Sequence, residues 1–266
     1  MLRNQSVQSE VPDAPREAYD VLAPHYDAYT HHAHYETWIR EIAGMAEGHG
    51  ARRGRLLDLG CGTGSSLAPM VAEGWRATGC DVSERMLGLA RARVPDAEFV
   101  RADIRDLPDL GAFDLVWALN DPINYLTRYR DVLSAFAGAA RAAGDDGLFV
   151  FDANTELGYR TGFLGAHTRE AGTVEVSWEG AAQGRQLYRA ELRIQDRASG
   201  TELTSFHRQR CHGTDELQAA LGTVGLCARQ TAGQLPDGSL EPELDETRHV
   251  RAVFFVDRQP RGGEPC

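Results

Sequence analysis

Five short apolar runs, separated by helix-like stretches, constrain the fold of this chain more than any other feature. The runs are RLLDLG (55–60), WRATGCDV (75–82), AEFVRAD (97–103), FDLVWALN (113–120) and GLFVFDAN (147–154). Between the second and third runs, Ser83 can cap a helix in which Met86 and Ala90 recur at helical spacing. Strands that alternate with helices in this way are typical of an α/β fold with a parallel sheet.

The period of the pattern changes after Asn154. Apolar and polar residues then alternate in three segments that begin near Val174, Tyr188 and Glu202, with a turn signal at Ser199-Gly200 before the third. Period two with glycine-containing turns indicates antiparallel strands. We therefore predict an antiparallel β insert over residues 156–212, which interrupts a main domain made of residues 16–155 and 213–258.

The composition excludes several classes of protein. Of the 266 residues, 42% are hydrophobic, and no apolar run approaches the roughly 20 residues of a membrane span. A net charge of −11, without a dense Lys/Arg cluster, argues against nucleic acid as a partner. The five cysteines include no C-x-x-C pair, which indicates neither a disulfide framework nor a zinc site and fits a reducing cytoplasm.

The two ends of the chain and a short histidine cluster complete this outline. Residues 1–15 lack the apolar stretch of a signal peptide, so we predict a disordered tail there, and a second tail over 259–266. The histidines within 31–34 stand one or two positions apart and cannot share a helix face. We therefore predict no metal site.

The first apolar run leads directly into a glycine-rich turn, GCGTG, over residues 60–64. Residues without Cβ can adopt positive φ and present backbone N–H groups to a ligand. A dinucleotide fingerprint would place its third glycine where this chain has Ser65. Asp58, inside the preceding strand, suits a ligand with ammonium and sulfonium groups better than a pyrophosphate. These features favour S-adenosylmethionine, with a nicotinamide-dependent oxidoreductase as the alternative.

Two further acids end the second and third runs. Asp81 stands where a carboxylate can accept both hydroxyls of a ribose. Asp103 could accept an adenine amino proton, while Ile104 supplies a backbone N–H and an apolar edge. Each acid alone could be an ordinary cap after a strand. Together with Asp58, they predict one nucleoside site at the carboxyl edge of the sheet.

These motifs resemble the class I S-adenosylmethionine-dependent methyltransferases over roughly residues 16–258. The resemblance rests on LLDLGCGTG, GCDVSERML, RADIRDLP, FDLVWALND and DGLFVFD. It implies a doubly wound, Rossmann-like, seven-stranded and mostly parallel sheet, with an N-terminal helical lid over 16–50. It also implies S-adenosyl-L-methionine as cofactor and a small-molecule acceptor methylated at N or O, as in aminosugar N-methyltransferases of antibiotic pathways. It allows a homodimer, and a non-catalytic cofactor-binding module remains a second alternative.

The same resemblance implies a set of cofactor-binding residues. Aromatic residues of the lid would close over the amino-acid end of the cofactor, which makes Tyr19, Tyr26 and Trp38 candidates. The others lie at strand ends and in the turns that follow them: Asp58, Gly60, Cys61, Gly62, Gly64, Asp81, Val82, Met86, Asp103, Ile104 and Asn120.

Three residues are candidates for catalysis. Asp121 and Tyr125 follow the fourth run, and functional side chains concentrate on loops at the carboxyl ends of parallel strands. Tyr125 is equally consistent with a core position. His207 alternates with its neighbours in a predicted strand, so its side chain has one definite face. It could act as a base if that face covers the cleft, although an exposed strand histidine is the simpler interpretation.

Overall fold

The computed structural model describes residues 15–30 and 35–259 of the chain. The two predicted tails, apart from residues 15 and 259, and the histidine cluster within 31–34 lie outside the described residues. Within the described part, no helix is both long and apolar enough to cross a membrane.

The helices of the described residues begin in the N-terminal segment and then alternate with strands. They are α1 (Pro15–Leu22), α2 (Tyr26–Thr30), α3 (Tyr35–Gly48), α4 (Leu67–Ala72), α5 (Glu84–Arg93), α6 (Tyr129–Ala143), α7 (Glu156–Gly158) and α8 (Thr214–Thr223). We refer to α1–α3 as the lid helices. A single 3₁₀ turn at Ala23–His25 joins α1 to α2 where the Ala-Pro pair interrupts the helical pattern.

The strands form two separate sheets. They are β1 (Arg55–Leu59), β2 (Arg76–Asp81), β3 (Glu98–Arg101), β4 (Leu115–Ala118), β5 (Leu148–Asn154), β6 (Gly165–Ala171), β7 (Val174–Ala182), β8 (Leu187–Asp196), β9 (Thr201–Arg210), β10 (Leu226–Gln234), β11 (Leu240–Glu241) and β12 (Arg251–Arg258). The large sheet has the order β11-β10-β12-β5-β4-β1-β2-β3, and the cap sheet has the order β6-β7-β8-β9.

The large sheet confirms the predicted α/β class, with one correction to the strand count. Strands β1 to β5 pair in parallel, whereas β12, β10 and β11 join antiparallel beyond β5. The prediction of seven strands is wrong, because the described residues contribute eight to this sheet. The additional strand, Leu240–Glu241, has only two residues. A strand this short shows no alternation of apolar and polar residues, so the sequence carries no signal for it.

Apolar layers cover both faces of the large sheet. On one face, Phe136 of α6 and Leu217 of α8 belong to the same buried cluster as the side chains of β5 and β12. On the other face, Ile42, Leu67 and Leu87 bring α3, α4 and α5 against the sheet. Helices on both faces leave the carboxyl edge of the parallel strands open for loops, which is where this fold class binds ligands.

The cap sheet confirms the predicted antiparallel insert and adds a strand. Strands β7, β8 and β9 pair as the alternation indicated. Strand β6 was not predicted, because GAHTREA has no apolar alternation and its residues are mostly exposed. The inner face of the cap sheet buries Leu192 and Ile194 together with Leu22 of α1. The cap sheet and the lid helices therefore share one core.

One glycine at the junction between the large and cap sheets offers a test of this packing. A Cβ on Gly158 would lie 2.1 Å from the carbonyl oxygen of Val250, whereas a Cβ on nearby Gly162 would meet nothing within 4 Å. We expect Gly158→Ala to lower the free energy of unfolding by about 1–3 kcal/mol, because backbone must move. Gly162→Ala is the matched control and should be neutral or slightly stabilising. Equal urea midpoints for the two variants would contradict this packing.

Candidate functional site

The glycine-rich turn after β1 is held tightly between its neighbours. The N–H of Gly60 donates to the carbonyl of Cys80 at 2.7 Å. Gly60 has a φ of +81°, and a Cβ there would lie 2.9 Å from the side chain of Pro122. Gly64 has a φ of +76°, and its Cβ would lie 3.2 Å from that of Ala90 in α5. Positive φ and close approach together require glycine at both positions.

Asp81 ends β2 and faces this turn. One carboxylate oxygen accepts the N–H of Gly62 at 2.9 Å, and the other accepts the N–H of Ser83 at 2.8 Å. Burial raises the pKa of Asp81 to about 6, despite these hydrogen bonds. A carboxylate oxygen has more than one acceptor position. Asp81 can therefore still accept hydroxyl groups of a ligand.

Asp58 lies deeper, inside β1, and is only 1% exposed. Its carboxylate accepts a hydrogen bond from the hydroxyl of Ser66, at the start of α4. Burial raises the pKa of Asp58 to about 7. Ser66 is in the wall of the first cavity described below, whereas Asp58 is not among its lining residues. Asp58 is thus linked to the cavity by its hydrogen bond with Ser66, a residue that sequence reasoning missed.

Asp103 follows β3 and is paired within its own loop. The side chain of Arg105 donates to both carboxylate oxygens, with its Nη2 at 2.6 Å from one of them. Partial burial raises the pKa of Asp103, but the hydrogen bonds and charge of Arg105 outweigh it and the net shift is downward. Asp103 is therefore ionised, and Ile104 lies beside it in the cavity wall.

These strand ends open into a first cavity of about 610 Å³. The predicted cofactor residues that line it are Tyr19, Tyr26, Gly60, Cys61, Gly62, Asp81, Val82, Asp103, Ile104 and Asn120. The other predicted residues lie elsewhere. Gly64 packs against α5, Met86 is buried with its N–H bonded to the Ser83 hydroxyl at 3.1 Å, and Trp38 lines a second cavity.

Polar contacts fasten the lid helices to the glycine-rich turn and to α5. The hydroxyl of Ser83 donates to Asp20 of α1 at 2.6 Å. Asp27 of α2 forms an ion pair with Arg93 of α5. Arg93 also donates to the carbonyl of Thr63 at 3.0 Å and to its hydroxyl at 2.7 Å. The lid helices therefore form one wall of the first cavity.

The loop after β4 holds two residues in a strained backbone conformation. Asn120 and Asp121 have φ values of +68° and +80°, which are uncommon for residues other than glycine. The N–H of Asn120 donates to Asp152 at 2.5 Å. Asp121 accepts from the side chain of Asn154 at 2.9 Å and pairs with Arg251 at 2.9 Å. Strain held in place by such contacts is characteristic of functional loops.

A second cavity of about 670 Å³ adjoins the first and extends beneath the cap sheet. The residues that line both cavities are Tyr19, Tyr26, Thr30, Tyr35, Asn120 and Tyr125. The charged residues in its wall are Asp121, Arg169, Asp237 and Arg251, and Arg251 also pairs with buried Asp152. The wall of this cavity thus holds two carboxylates and two guanidinium groups.

His207 lies on the inner face of the cap sheet and lines the second cavity. Its interpretation as an exposed strand residue is wrong, because β9 packs against α1 and leaves the side chain 2% exposed. Its Nδ1 is 2.8 Å from the hydroxyl of Tyr125, and its Nε2 is 2.9 Å from the hydroxyl of Ser205. Burial lowers the pKa of His207 to about 4. The imidazole is therefore neutral at physiological pH.

Sequence reasoning missed several polar residues of the two cavities. Ser66 was within reach of a local rule, because it follows the glycine-rich turn at the start of a helix. Arg93 and Arg251 had no such signal, since their partners Asp27 and Asp121 are distant in the sequence. Among the described residues, no group of three His, Cys, Asp or Glu side chains could hold a metal ion.

Comparisons with known proteins agree with the motifs. Residues 56–147 match the family model described as methyltransferase domain. The Bacillus subtilis protein YqeM is 26% identical over 246 residues, which is 89% of this chain and 95% of that protein. The dTDP-3-amino-3,6-dideoxy-alpha-D-glucopyranose N,N-dimethyltransferase of Streptomyces fradiae is 28% identical over 148 residues, 54% of this chain and 56% of that enzyme.

The fold also matches a solved structure over nearly its whole length. The sugar N-methyltransferase KedS8 from Streptoalloteichus superimposes with a TM-score of 0.69 at 24% identity, covering 97% of this chain and 99% of the other. Neither the oxidoreductase alternative nor the non-catalytic alternative finds support in these matches. Residues 56–147 thus match a methyltransferase domain, and over most of its length the chain is similar in sequence to YqeM and in fold to KedS8.

Proposed function

We propose that this enzyme methylates an amino nitrogen of a polar small molecule, such as an amino sugar of a specialised-metabolite pathway. The observation that carries the proposal is the set of four tyrosines that line both cavities, Tyr19, Tyr26, Tyr35 and Tyr125. Their ring faces and hydroxyl oxygens attract a protonated amine and accept hydrogen bonds from its N–H groups. The Streptomyces fradiae relative is named for an amino-sugar substrate, and KedS8 is named a sugar N-methyltransferase, which supports an amine acceptor.

We assign the first cavity to S-adenosylmethionine. Asp81 would accept the ribose hydroxyls, and Asp103 with Ile104 would hold the adenine. Ser66 and Asn120 would meet the amino-acid end. The fit rests on the buried carboxylate of Asp81, whose two oxygens each accept one N–H and retain acceptor capacity. When bound, S-adenosylmethionine supplies a methyl group activated by the sulfonium charge.

Four tyrosines at the junction of the two cavities would hold the reactants together. Tyr19, Tyr26, Tyr35 and Tyr125 line both cavities. Their ring faces and hydroxyl oxygens attract positive charge, so they favour a cationic ligand on one side and an amine on the other. Positioning of this kind can lower a reaction barrier by on the order of 7–11 kcal/mol. We therefore assign the tyrosines to alignment and to the exclusion of water.

Asp121 and Tyr125 would take different roles in this arrangement. Asp121 accepts from Asn154 at 2.9 Å and from Gln209 at 3.3 Å, and it pairs with Arg251. Because these contacts hold its carboxylate in place, we assign Asp121 to stabilising the strained loop rather than to removing a proton. A neutral amine attacks without a general base. We assign Tyr125 to accepting a hydrogen bond from an N–H of the amine substrate.

The remaining predictions concern partners and location. The net charge of −11 supports a small-molecule acceptor rather than nucleic acid. A cytoplasmic location, a homodimer and a role in antibiotic biosynthesis stay predictions.

The acceptor class can be tested with matched small molecules. Amino sugars, free or nucleotide-linked, should be compared with the corresponding hydroxyl and carboxylate compounds, using S-adenosylhomocysteine release and the mass gain of one methyl group as readouts. We expect methylation of the amines alone. Methylation of the carboxylates or hydroxyls, with the matched amines unchanged, would reject the proposal.

The role given to Asp81 predicts weaker cofactor binding when its carboxylate is removed. Asp81→Ala should raise the Kd for S-adenosylmethionine at least about tenfold, because hydrogen bonds to a charged group contribute about 1.5–3 kcal/mol. Circular dichroism should show an intact fold. Asp96→Asn, at an exposed carboxylate beyond α5, is the control and should bind as the wild type does. An unchanged Kd for Asp81→Ala would remove the ribose assignment.

Cofactor binding should also depend on pH. Burial raises the pKa of Asp81 to about 6 and that of Asp58 to about 7. Both carboxylates therefore lose negative charge as pH falls from about 8 to about 5, and the Kd for cationic S-adenosylmethionine should rise. S-adenosylhomocysteine, which lacks the sulfonium charge, should show a smaller rise in isothermal titration. Equal pH dependence for the two ligands would contradict this electrostatic account.

A further inference from the structure

A chain of hydrogen bonds joins the lid helices, the cap sheet and the loop after β4. The hydroxyl of Ser205 in β9 lies 2.8 Å from the carbonyl oxygen of Ala18 in α1. The same hydroxyl lies 2.9 Å from Nε2 of His207, whose Nδ1 is 2.8 Å from the hydroxyl of Tyr125. Ser205 and His207 are 1% and 2% exposed, so bulk water does not compete for these bonds.

The donor in each of these hydrogen bonds can be assigned by starting from the carbonyl group of Ala18. A carbonyl oxygen only accepts, so Ser205 donates its single proton to Ala18. Toward His207, Ser205 then accepts, which places the imidazole proton on Nε2. A neutral imidazole carries one N–H, so Nδ1 is an acceptor and Tyr125 donates to it.

The rings in this chain are also held in orientation by their neighbours. Tyr19 of α1 packs edge-on against His207, with ring centroids 5.5 Å apart and planes at 84°. Tyr19 also contacts the Tyr125 ring at 5.4 Å. On the cap sheet, Trp178 stacks on His207 at 6.1 Å. Both the imidazole and the phenol are therefore fixed in position as well as in proton direction.

We propose that Ser205 and His207 are positioning residues, which fix the Tyr125 hydroxyl so that its oxygen accepts a hydrogen bond from an N–H of the acceptor. This inference rests on the proposed amine-methylating function. Because the single proton of Tyr125 is directed at His207, its hydroxyl oxygen can only accept from its other neighbours, which are Tyr19, Gln209 and a molecule in the second cavity. An acceptor with an N–H satisfies it, whereas a carboxylate or a tertiary amine has no proton to donate.

The same geometry indicates that His207 and Tyr125 orient the amine and do not remove a proton from it. Transfer of a proton along the chain would leave an imidazolium at His207, and burial lowers the pKa of that imidazole to about 4. Its two nitrogens are hydrogen-bonded to the hydroxyls of Tyr125 and Ser205, neither of which can stabilise an imidazolium as a carboxylate would. The amine therefore keeps the N–H that it donates to Tyr125 while its lone pair takes the methyl group.

The proton arrangement can be tested without any substrate. In ligand-free protein with ¹⁵N-labelled histidine, long-range ¹H–¹⁵N spectra should show His207 neutral at about pH 7, with the proton on Nε2. The resonances are assigned by their loss in His207→Asn. Ser205→Ala removes the acceptor at Nε2 and should produce a mixture of tautomers. A proton on Nδ1, or an imidazolium, in the wild type would overturn the chain as described.

The functional role is tested with variants that keep or remove the acceptor at the Nδ1 position. Ser205→Ala and His207→Gln should lower kcat/KM for the amine about tenfold, the worth of one hydrogen bond. His207→Asn places its side-chain oxygen near the former Nδ1 and should retain most of that activity. The Kd for S-adenosylmethionine should be unchanged in all three. Ser177→Ala, on the outer face of the cap sheet, is the matched control and should behave as the wild type does.

The outcomes distinguish this inference from the proposed function. If the wild type methylates no amine, the proposed function fails, and the positioning role fails with it even where the spectra show the predicted tautomer. If the wild type methylates amines but Ser205→Ala and His207→Gln match its kcat/KM, the positioning role alone fails. Should His207→Gln not fold, the comparison of Ser205→Ala with His207→Asn decides. Higher activity in His207→Asn than in Ser205→Ala supports the positioning role, and the reverse order contradicts it.

Discussion

The ion pairs of Arg251, one of them with fully buried Asp152, are the interactions on which the rest of the site depends. Arg251, at the start of β12, pairs with Asp121 of the strained loop and with Asp152 of β5. Asp152 also accepts the N–H of Asn120. Breaking a buried pair by removing one partner costs about 3–5 kcal/mol, which is similar in size to the strain of about 1–3 kcal/mol at each of Asn120 and Asp121. The guanidinium of Arg251 thus stabilises a loop whose Asn120 lines both cavities.

Through Arg251, strand β12, near the end of the sequence, contributes to a site whose other residues follow strands β1 to β5. Strand β12 is inserted antiparallel between β5 and β10, which brings Arg251 beside the carboxyl edge of the parallel strands. The guanidinium also lies 5.7 Å from the ring centroid of Trp38 in α3. The end of the main domain, the lid helices and the loop after β4 therefore meet around a single cation.

Much of the cofactor side could be predicted from the sequence, because its determinants are local. The glycine-rich turn, Asp81 and Asp103 each follow a strand whose apolar pattern is plain, and parallel strands bring their carboxyl ends to one edge. The side chain of Ser83 caps α5 as its position predicted, accepting the N–H of Met86 at 3.1 Å. In such cases a short segment carries both the structural signal and the candidate functional residue.

The acceptor side could not be predicted in the same way, because its geometry arises from contacts between distant segments. The burial of His207 depends on the packing of α1 against β9, and the sequence pattern of neither segment predicts that contact. The pairing of Arg251 with Asp121 is likewise invisible in either neighbourhood. Strand β6 lacks the alternation that marked the other cap strands, since its residues are mostly exposed at the edge of the cap sheet.

The shared tyrosines have a mechanical consequence. Tyr19 and Tyr26 belong to the walls of both cavities, and both are carried by lid helices fastened through Asp20 and Asp27. A displacement of α1 or α2 therefore moves part of the wall of both cavities at the same time. The shapes of the two cavities are thus linked through these helices.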